Sequence, residues 1–125
     1  MSSIADYFAE LRQRRREAVR LLPKQACFDD GLAPQAAKCH ENVDRWTREH
    51  PEDACVHGWI IETDQEGSTL FVAHSVVRLG DGTLADITLD RFHLFLPHTG
   101  SEQDFDYLRV NHASQFWPIA SSADY

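Results

Sequence analysis

Cys39, His74 and Asp86 are the residues of this 125-residue chain whose types and order point most directly to chemistry. A cysteine attacks as its thiolate, and both a helix start and a neighbouring histidinium lower its pKa. A histidine beside the sulfur serves first as base and then as acid, while a carboxylate on its other nitrogen fixes ring orientation and tautomer. Cys39 in a helical stretch, His74 in one strand-like run and Asp86 in the next supply these three roles in chain order. Asp is depleted in strands, so Asp86 between Ala85 and Ile87 needs a partner, and His74 is the nearest.

Whether His74 and Asp86 can meet depends on the turn between them. Gly80-Asp81-Gly82 suits a three-residue hairpin loop, a type I turn followed by Gly in the left-handed region. That loop sets Leu79 opposite Thr83, Val76 opposite Asp86 and His74 opposite Thr88. His74 and Asp86 then share a face as diagonal neighbours. A two-residue loop would shift the register by one and put them on opposite faces.

The elements that must carry these residues are expected as follows. Ser2 to Leu22 has Ile4, Tyr7, Phe8, Leu11, Ala18, Val19 and Leu22 at helical spacing, with a serine to cap it and Pro23 to stop it. A second helix is expected from Pro34 or Gln35 to His50, with Cys39, Val43 and Trp46 on one face. Beyond Asp53 the pattern turns to strands: Cys55 to Thr63, Thr69 to Leu79, Thr83 to Leu89, Phe92 to Leu96, and a short candidate at Tyr107 to Val110. Residues 112–125 are expected to be a tail, with Phe116-Trp117-Pro118 pinning it to the sheet. The whole is expected to be one α+β domain, two N-terminal helices packed on a small antiparallel sheet.

Cysteine on a helix, then histidine and aspartate on adjacent strands, resembles the papain-like and transglutaminase-like cysteine enzymes. The likeness is carried by Cys39-His40-Glu41-Asn42-Val43, Ala73-His74-Ser75-Val76 and Gly82-Thr83-Leu84-Ala85-Asp86-Ile87-Thr88, within residues 35–89. It implies a papain/transglutaminase-like core and attack on an amide or thioester carbonyl through an acyl-thioenzyme on Cys39. A peptide or protein substrate is expected, with no cofactor and no catalytic metal. Gln35 and the backbone N–H groups around Cys39 are candidates to receive the oxyanion. His40, Asn42 and Trp59 are candidates to line the site, with Gly58 allowing another backbone to come close, although a plain core tryptophan is the preferred reading of Trp59 and solvent exposure the simpler one for His40 and Asn42.

Other readings compete. Cys39 on an apolar helical face also suits a small core residue, and the scaffold then becomes an inactive binding or adaptor domain. Cys55 and His57 share a strand face, with Cys39, His40 and His50 upstream. Zinc sites usually pair their ligands at short spacings in two clusters. No second cluster follows here, so a sheet face with a polar rim is preferred.

Charge narrows the partners. A net charge of -8 argues against nucleic acid, which demands surplus Lys and Arg. Arg12-Gln13-Arg14-Arg15-Arg16 is a local basic exception, read as a solvated helix face because no aromatics interleave for base stacking. No apolar run approaches a membrane span, and no secretory signal opens the chain. Cys27, Cys39 and Cys55 are odd in number and form no disulfide framework, which suits a reducing compartment and a cytoplasmic protein.

Overall fold

The computed structural model describes residues 3–63 and 67–117. Helix α1 spans Ile4–Gln13, and its Ser3 cap hydroxyl accepts from the Asp6 amide at 3.1 Å. It buries Tyr7, Phe8 and Leu11. The expected continuation to Leu22 is not found. A 3-10 turn, Arg15–Glu17, ends the helical path, and Val19–Pro23 is strand β1. Here long-range pairing overrides local periodicity: β1 lies between two other strands, and Leu21 is buried while Leu22 is exposed, the alternation of a strand. Within the basic cluster, Arg14 pairs with Glu17 at 3.5 Å and the Arg15 guanidinium donates to the Arg12 carbonyl at 2.6 Å.

Helix α2 spans Cys39–Glu49 and therefore begins later than the Pro34 or Gln35 expected from the sequence. The reason is the Asn42 side chain. Its oxygen accepts from the Gln35 amide at 3.1 Å and its nitrogen donates to the Gln35 carbonyl at 2.8 Å and to the Thr88 hydroxyl at 3.0 Å. This clamp holds the preceding segment on a non-helical path, and Ala37 within it adopts φ 62°, a left-handed conformation disfavoured for a residue with a Cβ.

The strands are β2 (Ala54–Thr63), β3 (Thr69–Arg78), β4 (Leu84–Asp86), β5 (His93–Pro97) and β6 (Ser114–Trp117). The sheet is mixed, not purely antiparallel, because β1 pairs with β4 in parallel. Its order is β2-β5-β1-β4-β3-β6, and β2 also pairs with β3, so the first five strands close into a ring with β6 added outside. The segment Tyr107 to Val110, expected as a strand, belongs to helix α3 (Glu102–Asn111), capped by Ser101. Phe105 and Leu108 face the core from this helix while Tyr107 and Val110 face out. The expected tail contributes β6, which pairs with β3 from Ser114 to Trp117; Pro118 lies outside the described residues.

On one face of the sheet, Trp59, Ile61, Phe71 and Leu96 pack against Phe8 and Leu11 of α1 and Phe105 and Leu108 of α3. Val43 and Trp46 of α2 pack with Phe28, Val77 and Ile87. Leu21, Val76 and Phe95 form a third cluster. Phe95 and Leu96 are buried as expected, whereas Phe92, Leu94 and Phe116 are exposed. Gly58 is where β2 and β5 come closest: a Cβ there would meet the Leu96 carbonyl oxygen, Phe95 Cζ at 2.6 Å and Pro97 Cα at 2.9 Å.

Candidate active site

The β3–β4 hairpin has the register expected from its turn. Val77 pairs with Ala85 and Arg78 with Leu84, Gly82 takes φ 90°, and the Leu79 amide donates to the Thr83 carbonyl at 2.8 Å. Val76 and Asp86 are therefore opposite each other and His74 is diagonal to Asp86. His74 Nε2 donates to Asp86 Oδ2 at 2.9 Å, with both side chains buried. The other carboxylate oxygen, Oδ1, accepts from the amides of Thr88 at 2.9 Å and Leu89 at 3.1 Å. Burial alone would push the Asp86 carboxyl up, but the His74 bond and charge and these two amides hold it below its ordinary value.

Cys39 is the first residue of α2, where backbone N–H groups lack intrahelical partners and no side chain caps them. It shares a cleft of about 370 Å3 with His74, walled by Ile60, Val72 and Leu89 and edged by Arg91. Burial raises the thiol, but interaction with the rings and charges of His40 and His74 outweighs it and brings Cys39 down to about 6. Burial likewise lowers His74, yet its bond to Asp86 and its interaction with Cys39 raise it to about 9. A thiol ionised above about 6 beside an imidazole protonated up to about 9 forms a thiolate–imidazolium pair at neutral pH.

The placement follows from how β3 is flanked. On the side away from β2 it pairs with β6 through Thr69–Val72 and with β4 through Val77–Arg78. His74 and Ser75 fall between these pairings and point to opposite faces. The first two residues of α2 reach one each: Cys39 meets His74 in the cleft, and His40 Nδ1 lies 2.5 Å from the Ser75 hydroxyl.

The remaining sequence candidates are placed differently. Gln35 lies in the segment before α2 rather than one helical turn upstream of Cys39. Its backbone is tied to Asn42, and it lines a separate hollow with Phe28, Lys38 and Arg45. Asn42 is the clamp itself, buried and fully bonded, not a cleft residue. Trp59 is fully buried, and its indole N–H donates to the Tyr7 hydroxyl at 2.8 Å, so it is core rather than cleft. Only His40 of this group stands beside the thiol.

Ser75, which sequence reasoning passed over, and His57, weighed there only as a potential zinc ligand, join His40. Ser75 is fully buried, and its hydroxyl also lies 2.7 Å from His57 Nδ1. His57 and Ser75 are direct cross-strand partners. A polar residue on the face that carries Val77 and Phe71 was the available signal. Cys55 lies 3.6 Å from His57, and burial pushes its thiol up to about 12, the reverse of Cys39. No group of three or more His, Cys, Asp or Glu among the described residues is arranged to hold a metal ion. Among the same residues no helix is long and apolar enough to cross a membrane.

No family model, curated protein or solved structure matches this chain.

Proposed function

We propose that the chain is a thiol-dependent hydrolase or acyl transferase acting on an amide or thioester, with peptides or proteins as substrates. Cys39 is the nucleophile, His74 the acid and base, and Asp86 the residue that holds His74. The observation that carries this reading is the buried His74–Asp86 bond of 2.9 Å, with His74 sharing one cleft with a thiol at a helix start.

The chemistry runs in two halves. The Cys39 thiolate adds to the carbonyl carbon, and the oxyanion is received by the free amides at the start of α2. The His74 imidazolium gives its proton to the leaving amine or thiol as that bond breaks, leaving an acyl-Cys39 and a neutral ring. His74 then takes a proton from water, or from an acceptor amine, which attacks the thioester. Collapse releases the product and restores thiolate and imidazolium. Asp86, ionised and buried, keeps the ring in one tautomer throughout. The order of these residues along the chain, and their likeness to papain-like and transglutaminase-like enzymes, support the same assignment.

The test begins with the thiols. At slightly acid pH, iodoacetamide is expected to modify Cys39 well before Cys27 and Cys55, and Cys39→Ala is expected to keep the fold while abolishing cleavage of a panel of peptide amides and acyl thioesters. Equal labelling of the three thiols in the folded protein would overturn the proposal and favour a non-enzymatic adaptor.

A further inference from the structure

We propose that the acyl group carried by Cys39 is aliphatic and lies in the open end of the ring of strands, against Ile60 and Val72. This deepens the reading of Cys39 as the nucleophile and rests on it.

The strands show which end is open. Side chains at alternate positions share a face, and direct antiparallel partners face the same way. On β2 and β3, Val56 pairs with Val76, Gly58 with His74 and Ile60 with Val72, while Ile60 also pairs with Phe95 of β5. These residues therefore line the inside of the ring. Leu21, Val76 and Phe95 pack together there, all fully buried. With no side chain at Gly58, the tip of the Phe95 ring comes within 2.6 Å of the place a Cβ would take. The ring is thus filled on the Val76 side of His74. In the other direction burial falls away. Along β3, His74 is buried and Val72 half-buried; along β2, Ile60 is buried and Glu62 exposed. The cleft shared by Cys39 and His74 is this open end, with Ile60, Glu62, Val72 and His93 all lining it.

The lining sorts by polarity. Ile60, Val72 and Leu89 offer no hydrogen-bonding side chain, whereas Glu62 and Arg91 are exposed at the edge. Because Cys39 itself lines the cleft, the group that its sulfur carries lies within the cleft too. An aliphatic group there removes apolar wall and apolar chain from water together, which favours it about fourfold for each methylene fully buried. A polar group in the same place gives up water without gaining a partner. Glu62 and Arg91 stay hydrated, so a chain long enough to pass them gains nothing more.

Alkylation of the full chain tests the pocket without turnover. With N-alkyl iodoacetamides the sulfur bonds to the methylene carbon as iodide leaves, so the alkyl chain takes the place of the acyl group. Rates at Cys39 are divided by those at exposed Cys27, which cancels the intrinsic reactivity of each reagent. From iodoacetamide through the ethyl to the butyl reagent the ratio is expected to rise, by up to about fourfold per methylene, and to level off by the decyl reagent. The hydroxyethyl reagent is expected to fall below the ethyl one. Val72→Thr, which keeps the shape of the wall and adds a hydroxyl, is expected to flatten the rise. A ratio that is constant from iodoacetamide to the butyl reagent overturns the aliphatic pocket, and the nucleophile reading stands if iodoacetamide itself still selects Cys39. Should iodoacetamide label all three thiols equally, the nucleophile reading fails, while a ratio that climbs with chain length still supports the pocket.

Discussion

At the scale of single residues, the site rests on one buried carboxylate. Asp86 is fully buried and bonded on both oxygens, so it can orient His74 without moving. Asp86→Asn keeps the shape but reverses the ring's preferred tautomer, and loss of turnover on the order of 10⁴-fold is expected, as for the equivalent change in a serine triad. Substrate kinetics on folded variant would check this; an activity within a few-fold of the parent would remove Asp86 from the mechanism. The same residues set the pH profile. Activity is expected to rise as Cys39 ionises through about 6 and to fall as His74 loses its proton through about 9. A pH series of kcat/KM would show a bell between those limbs, and a profile that keeps rising past the upper limb would exclude His74 as the acid.

At the scale of elements, the site depends on where α2 begins. A helix running on from Pro34 would have buried Cys39 a turn inside, away from the free amides. The Asn42 clamp prevents this by holding Gln35 on a non-helical path. Asn42→Ala leaves the buried partners of that side chain unmet and is expected to cost about 1–3 kcal/mol. Urea denaturation measures the loss, and the Cys39 alkylation midpoint is expected to rise as the helix start loosens. An unchanged midpoint would mean that the clamp serves stability alone. The β3–β4 hairpin is the second controlling element. Its register, and with it the meeting of His74 and Asp86, is set by Gly82 at φ 90°, a conformation in which a Cβ is unfavourable.

At the scale of the whole molecule, folding and ionisation are linked through the buried pair. The folded-state value of His74 is raised from 6.5 to about 9, so its contribution to stability is complete below 6.5 and is lost as pH rises through about 9. Asp86 is lowered from 3.8, so its contribution is present above that value and is lost as pH falls through its folded value. Cys39 is lowered from 9.0 to about 6, so its contribution is complete above 9.0 and is lost as pH falls through about 6. Between about 6 and 9 the growing Cys39 contribution offsets the declining His74 contribution, so urea midpoints are expected to stay level there and to fall in acid as the Asp86 contribution goes. In Cys39→Ala, where nothing offsets His74, a fall toward pH 9 should emerge; its absence would show that His74 is not held protonated in the fold.

The sequence by itself determined what is local. The change from helical to alternating periodicity after Asp53 marked the sheet, and Gly80-Asp81-Gly82 set a hairpin register that brings His74 to Asp86. Both follow from bond geometry within a few residues. Only the tertiary structure decided the rest. Val19–Pro23 reads as helix until β4 and β5 pair with it, Tyr107 looks strand-like until α3 buries Phe105 and Leu108, and the choice of core over cleft for Trp59 is made by Tyr7 of α1, which covers it. Ser75 gains its place between two imidazoles only because α2 and β2 converge on β3 from distant parts of the chain. Contacts between segments far apart in sequence form only when the ring of strands closes, and no local preference encodes that closure.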